Sequence, residues 1–246
     1  MKRFFRRHAT LWMLIGFCLL LGLFLSLRTG IFFTGRNLIN ILEANSFKLL
    51  LAIGMTFVIA SGGIDLSVGS ILSLSAIFTA LCMKQNIPVW LAILVGLLSG
   101  ILMGLINGAL IHFTGINAFI ITLGTSFLYR GLALIVTRGT PVSKLPAAYR
   151  AFGGGDIFQV ESGVYMALLV LFLSIPLLYK MRWGHYITTL GGNPVALRRC
   201  GVRTGAWRIS TFAVMGFLAA LAGIIISARL NSAEPNAGLN MEMDAI

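Results

Sequence analysis

Asp65 is the acidic side chain best placed to act in an apolar setting, because SGGIDLSVGS (61–70) lies between two hydrophobic runs. Gly62 and Gly63 can break a helix there, and Asp65 or Ser67 can cap the next one. Two readings of this stretch stand side by side. Irregular backbone at membrane depth needs protein or a water-filled cavity to satisfy it, and interrupted short spans point to transport sites. A tight turn at the cytoplasmic surface would instead leave Asp65 as a simple cap. The other polar groups inside apolar runs are neutral: Asn107, Asn117, Thr122, Thr125 and Ser126. With Asp65 and Ser67, the first four form the candidate substrate path, suited to an uncharged, hydrogen-bonding solute such as a sugar. Taken singly, each equally suits a bond between packed helices.

Other chemistries lack their residues. No G-x-x-x-x-G-K-[ST] loop, H-E-x-x-H pair or G-x-S-x-G elbow occurs, so nucleotide, zinc-protease and hydrolase readings fall away. Cys18, Cys82 and Cys200 match no metal or redox spacing. His8, His112 and His185 stand alone near span ends and read as interfacial residues. A membrane-embedded enzyme needs a nucleophile beside a base, or clustered ligands, and neither is found. No catalytic residue, bound metal or cofactor is therefore expected of this chain. Ion-driven carriers keep ionisable groups inside the bundle, and their scarcity points to energy supplied from outside the chain.

The elements that must hold these groups are membrane helices. Of 246 residues, 58% are hydrophobic and 11% charged, and mean hydropathy is +0.93. Candidate spans fall at 10–27, 47–60, 67–83, 88–111, 117–136, 163–179 and 208–228, which form one all-α, polytopic membrane domain covering 1–246. A barrel would show short alternating strands instead. The formal charge of +12 could point to nucleic acid, but the basic residues lie in loops beside spans, where they set topology. The run at 11–27 follows Lys2, Arg3, Arg6 and Arg7 and lacks a cleavage site, so it reads as a retained first span with the N-terminus cytoplasmic. Six crossings later, the basic stretch 180–208 returns to the same side. Segments 47–60 and 67–83 reach only about 21 and 25 Å as helices, short of a bilayer core. The Gly-rich 137–162 segment reads as a long outer loop. Gly96, Gly100, Gly104 and Gly108, and Gly216, Ala219, Ala220 and Gly223, are spaced for close helix packing.

LGGNPVALRRCGVRTGAWR (190–208) is basic yet looks folded. Asn193 can cap a helix, Pro194 suits its first turn, Gly201 suits the residue past its end, and Arg198 and Arg199 fall in the last turn. Val195 and Leu197 are expected to face an apolar groove on something outside the membrane.

LLLAIGMTFVIASGGIDLSVGS (49–70), INAFIITLGTSFLYRGLALIVTRGTPV (116–142), the 190–208 stretch and GFLAALAGIIISARLNSAEPNAGLNMEMDAI (216–246) together resemble the permease subunits of ribose-type monosaccharide ABC importers. That family includes permeases for ribose, arabinose, xylose, galactofuranose and autoinducer-2. The resemblance implies a fold like that of the vitamin B12-type importers, a second permease subunit (identical or sister), and a periplasmic sugar-binding protein. It also implies a cytoplasmic ABC ATPase that handles ATP and Mg in this chain's stead. By position, Gly191, Gly192, Asn193, Pro194, Ala196, Leu197, Arg198 and Gly201 would form the coupling helix that contacts this ATPase. Related permeases for branched-chain amino acids are the alternative; they must recognise a zwitterion, which the neutral lining does not favour. Family members usually continue past the D-A-I at 244–246, so the chain is expected to lack C-terminal spans. The expected location is the bacterial inner membrane.

Overall fold

The computed structural model describes residues 9–246; Lys2, Arg3, Arg6, Arg7 and His8 lie outside the described residues. The chain divides into two compact units, one ending at Ala44 and one running Asn45–Ile246. The first holds α1 (Ala9–Thr29) and the start of α2 (Gly35–Ala60). From Trp12 to Thr29, α1 is strongly apolar and little of it is buried, the pattern of a helix that faces lipid. Gly22 leaves room for the rings of Phe32 and Phe33, which meet edge to face at 5.1 Å. The Thr34 hydroxyl accepts from the Asn37 N–H at 3.4 Å and starts α2.

α2 corrects the expectation of a short segment at 47–60. It runs 26 residues from Gly35, about 39 Å at the helical rise. Polar residues such as Arg36, Asn37, Glu43 and Asn45 hide its first half from a hydropathy reading, but nothing between Gly35 and Ile53 breaks a helix.

The second unit then adds α3 (Val68–Lys84), α4 (Val89–Thr114), α5 (Ala118–Thr137), β1 (Val142–Ser143), α6 (Ala147–Gly154), β2 (Asp156–Ile157) and β3 (Val160–Glu161). These are followed by α7 (Ser162–Tyr179), α8 (Arg182–Gly192), α9 (Pro194–Arg199), α10 (Thr204–Leu230), β4 (Ser232–Ala233) and α11 (Met241–Ala245). Six helices among the described residues are long and apolar enough to cross a membrane; α3 is apolar but only 17 residues long. Most of α3 is buried inside the protein, so little of this short helix is left to face lipid.

α4 and α10 pack backbone to backbone. A β-carbon on Gly100 would strike the Gly216 carbonyl, and one on Gly216 would strike that of Gly100. Gly104 lies against the Phe212 carbonyl, Gly108 against Ile209, and Gly223 against the Leu72 carbonyl of α3. The four-residue glycine repeat is thus the face α4 turns toward α10 and α3.

The 137–162 segment is less irregular than its glycines imply. β1 pairs antiparallel with β4, β2 with β3, and α6 packs on α10 through Gly153. The Tyr149 hydroxyl lies 2.6 Å from the Ser227 hydroxyl and 3.1 Å from the Ile224 carbonyl. Burial holds the Tyr149 phenol well above its usual pKa, against a smaller opposing effect of Ser227, so it stays a neutral donor. Glu161 pairs with Arg229 at 2.8 Å.

Replacing Gly104 with Ala should push α4 off α10 and cost about 1–3 kcal/mol, seen as a lower thermal midpoint of the detergent-purified protein. Gly124→Ala, which enters open space on α5, should leave the midpoint unchanged.

Candidate functional site

The turn after α2 is built by local bonds. The Ser61 hydroxyl donates to the Val58 carbonyl at 2.8 Å, and Gly62 and Gly63 donate to Ile59 and Val58. Gly62 has φ +81°, a conformation that favours glycine. The chain next enters the bundle and is clamped by Thr122. The Thr122 hydroxyl lies 2.8 Å from the Ala118 carbonyl and 3.2 Å from the Ile64 carbonyl, and accepts from the Leu66 N–H at 3.1 Å.

Asp65 follows, fully buried. Its Oδ1 accepts from the Ser67 N–H at 2.8 Å and the Ser67 hydroxyl at 2.6 Å. The carboxylate thus orders the residue that precedes α3; the Ser67 side chain makes no cap bond of its own. The Ser67 hydroxyl accepts from Asn107 Nδ2 at 2.7 Å, and Asn107 Oδ1 accepts from the Tyr129 hydroxyl at 3.2 Å. Asp65, Ser67, Asn107 and Thr122 therefore converge from the turn, α4 and α5 into one buried assembly. Asp65 Oδ2 is the one buried side-chain polar atom among the described residues that lacks a hydrogen-bond partner. Such an atom carries an unmet desolvation cost.

The other two path candidates lie apart from this assembly. Asn117 accepts from the Phe119 N–H at 3.0 Å and caps α5. It also borders a cavity of about 160 Å³, together with Ser61, Gly62, Gly63, Arg208 and Phe212. Thr125 is half-buried and donates to the Thr122 carbonyl at 3.3 Å.

Two residues that the sequence reading passed over stand out. Tyr129 closes the polar chain, and Arg130 beside it donates through Nη1 to the Pro235 and Ala237 carbonyls at 2.6 and 2.8 Å. The signal was present, since an arginine inside an apolar 20-residue helix is expensive unless it has a purpose. Here Arg130 ties α5 to the segment before α11, and Ser73 donates to the same Pro235 carbonyl at 2.9 Å.

The 190–208 stretch folds as its local residues direct. Asn193 Oδ1 accepts from the Ala196 N–H at 2.9 Å, Pro194 opens α9, and Gly201 has φ +80° past its end. Arg198 and Arg199 occupy the last turn and are exposed. Leu197 departs from expectation: it is only 5% exposed, while Val195 is 59% exposed. Leu197 anchors α9 to its own chain, because a six-residue helix has too few internal bonds to stand alone. Gly191, Gly192, Asn193, Ala196 and Arg198 remain on the surface, and Pro194 is half-buried. Arg198, Gly201, Arg203 and His112 border an open groove of about 590 Å³. α8 is fixed by Trp183, which donates to the Ser210 hydroxyl at 3.0 Å and meets Phe57 edge-on at 5.1 Å.

Asp65→Asn keeps the Oδ1 acceptor and should fold with a thermal midpoint near that of the parent. Asp65→Leu strips the acceptor from two buried donors and should cost about 1–3 kcal/mol, read from the same detergent melts.

The chain is similar to known transporters across most of its length. A family model described as branched-chain amino acid transport system / permease component matches residues 37–246. The ribose import permease protein of Haemophilus influenzae is 37% identical over 219 residues, 87% of this chain and 68% of that protein. The D-allose transport system permease protein of Escherichia coli is 34% identical over 244 residues, 99% of this chain and 74% of that one. The autoinducer 2 import system permease protein of Yersinia enterocolitica is 33% identical over 215 residues, 87% and 60%. No solved structure matches, so the comparison with vitamin B12-type importers gains no support. With six membrane-length helices and a match that covers residues 37–246, the chain belongs to the permease-component family of these transport systems.

Proposed function

We propose that this chain is the transmembrane translocation subunit of an ABC importer for a monosaccharide of the ribose type. The observation that carries the reading is the match to ribose and allose permeases over nearly the whole chain. The neutral hydroxyl and amide groups of Asn107, Asn117, Thr122 and Thr125 support an uncharged cargo over an amino acid zwitterion. Asp65 and Ser67 share a buried assembly with Asn107 and Thr122, and would shape the turn on the solute's path.

The chain has no nucleotide loop of its own, so ATP and Mg would be used by a separate cytoplasmic ATPase. α9 is the surface it would grip, with Val195 as the apolar contact and Arg198 and Arg199 beside it. On this reading the 180–208 segment and the N-terminus face the cytoplasm of a bacterial inner membrane. The 137–162 end would meet a periplasmic sugar-binding protein, and a second permease subunit would complete the passage.

Expressed in an Escherichia coli strain without its own ribose permease but with the other importer subunits, the chain should restore uptake of labelled ribose and not of leucine. Leucine uptake without ribose uptake would sink the sugar assignment. Changing Val195 and Arg198 together to Asp should abolish co-purification of the ATPase while membrane insertion persists; full retention of the ATPase would remove α9 from the interface.

A further inference from the structure

We propose that the backbone contact between Gly62 and Gly191 is the joint through which movement of α9 reaches the buried Asp65 turn. The inference rests on reading α9 as the ATPase contact and assigns the step that follows it.

The contact has no side chain to absorb motion. A β-carbon on Gly191 would strike the Ala60 carbonyl and come within 2.9 Å of the Gly62 nitrogen, and one on Gly62 would meet the Gly191 Cα at 3.2 Å. Flexible side chains between two elements can take up a displacement by changing rotamer; backbone against backbone cannot, so a shift on one side is delivered to the other. Gly191 is in the last turn of α8, where the Asn193 N–H still donates to the Thr189 carbonyl at 2.8 Å. The Asn193 side chain then starts α9. The cap of α9 and the joint are thus two residues apart, linked through a single corner.

On the receiving side, Gly62 leads within three residues to Asp65, and Thr122 holds both Ile64 and Leu66. Displacement of the turn must therefore pull on α5 through Thr122, and on α4 through Ser67 and Asn107. The turn also has room to move, since Ser61, Gly62 and Gly63 border the cavity of about 160 Å³ beside Asn117 and Arg208. Asp65 Oδ2, buried without a partner, gives the network a reason to hold a second arrangement. A buried acceptor left unmet in one state favours any state in which a donor reaches it.

Gly62→Ala in the full chain, which alters the contact from the side that does not face the ATPase and is assembled with the Escherichia coli ribose ATPase and binding protein, tests the joint. The ATPase should co-purify and hydrolyse ATP within about twofold of the parent, while ribose taken up per ATP hydrolysed falls at least about tenfold. Ala118→Leu, which enlarges another side chain that lines this cavity, should lower the same ratio. Gly124→Ala should leave it unchanged. A Gly62→Ala protein with the parental ratio overturns the proposal. So does one that loses the ATPase altogether, because the glycine would then only shape the docking surface. A parent chain that never retains the ATPase overturns the subunit reading, and the joint with it.

Discussion

The close approach of α4 and α10 is the constraint on which the second unit depends. Helices inside a bilayer gain little from burying apolar side chains, because lipid is equally apolar, so association rests on van der Waals fit and a few polar bonds. Gly100, Gly104, Gly108 and Gly216 bring the two backbones together, and Gly223 brings α10 onto α3. Once those three helices are fixed, Asn107 of α4 meets Ser67 before α3. α6 can also lay Gly153 on α10. Side chains at the glycine positions would separate the layers and leave the polar groups between them unmatched.

Those polar groups are placed by the same logic. Ser67, Asn107, Thr122 and Tyr129 each reach a partner within the protein, as groups removed from water must. Asp65 is the exception by one oxygen. The carboxylate orders the start of α3 with Oδ1, while Oδ2 finds no partner among the described residues. Arg130 shows the opposite case: both carbonyls it meets belong to the segment ahead of α11, and its charge is spent on holding that segment in place.

The face that meets water on the 180–208 side has another economy. α9 is too short to be stable by its own bonds, so Leu197 turns inward and Asn193 and Gly201 fix its two ends. What remains outward is Val195, Ala196 and two arginines. A small surface of this kind gains its rigidity from α8, whose Trp183 is held by Ser210 and Phe57. The end of α8 and the turn after α2 meet at Gly62 and Gly191, where no side chain intervenes.

Periodicity, caps and composition were sufficient to determine the membrane class, the glycine faces and the α9 corner, because each depends on neighbours within a few residues. Asn193, Pro194 and Gly201 act locally, so their placement could be read from order alone. α2 resisted that reading: polar residues at 36–45 lower hydropathy without breaking the helix, and only its full length shows that it is long enough to span. The convergence of Asp65, Ser67, Asn107, Thr122 and Tyr129, the grip of Arg130 on Pro235 and Ala237, and the inward turn of Leu197 were decided by tertiary structure. Each joins residues far apart in the chain or sets which side of a short helix is covered, and neither property is contained in the spacing of residue types along one segment.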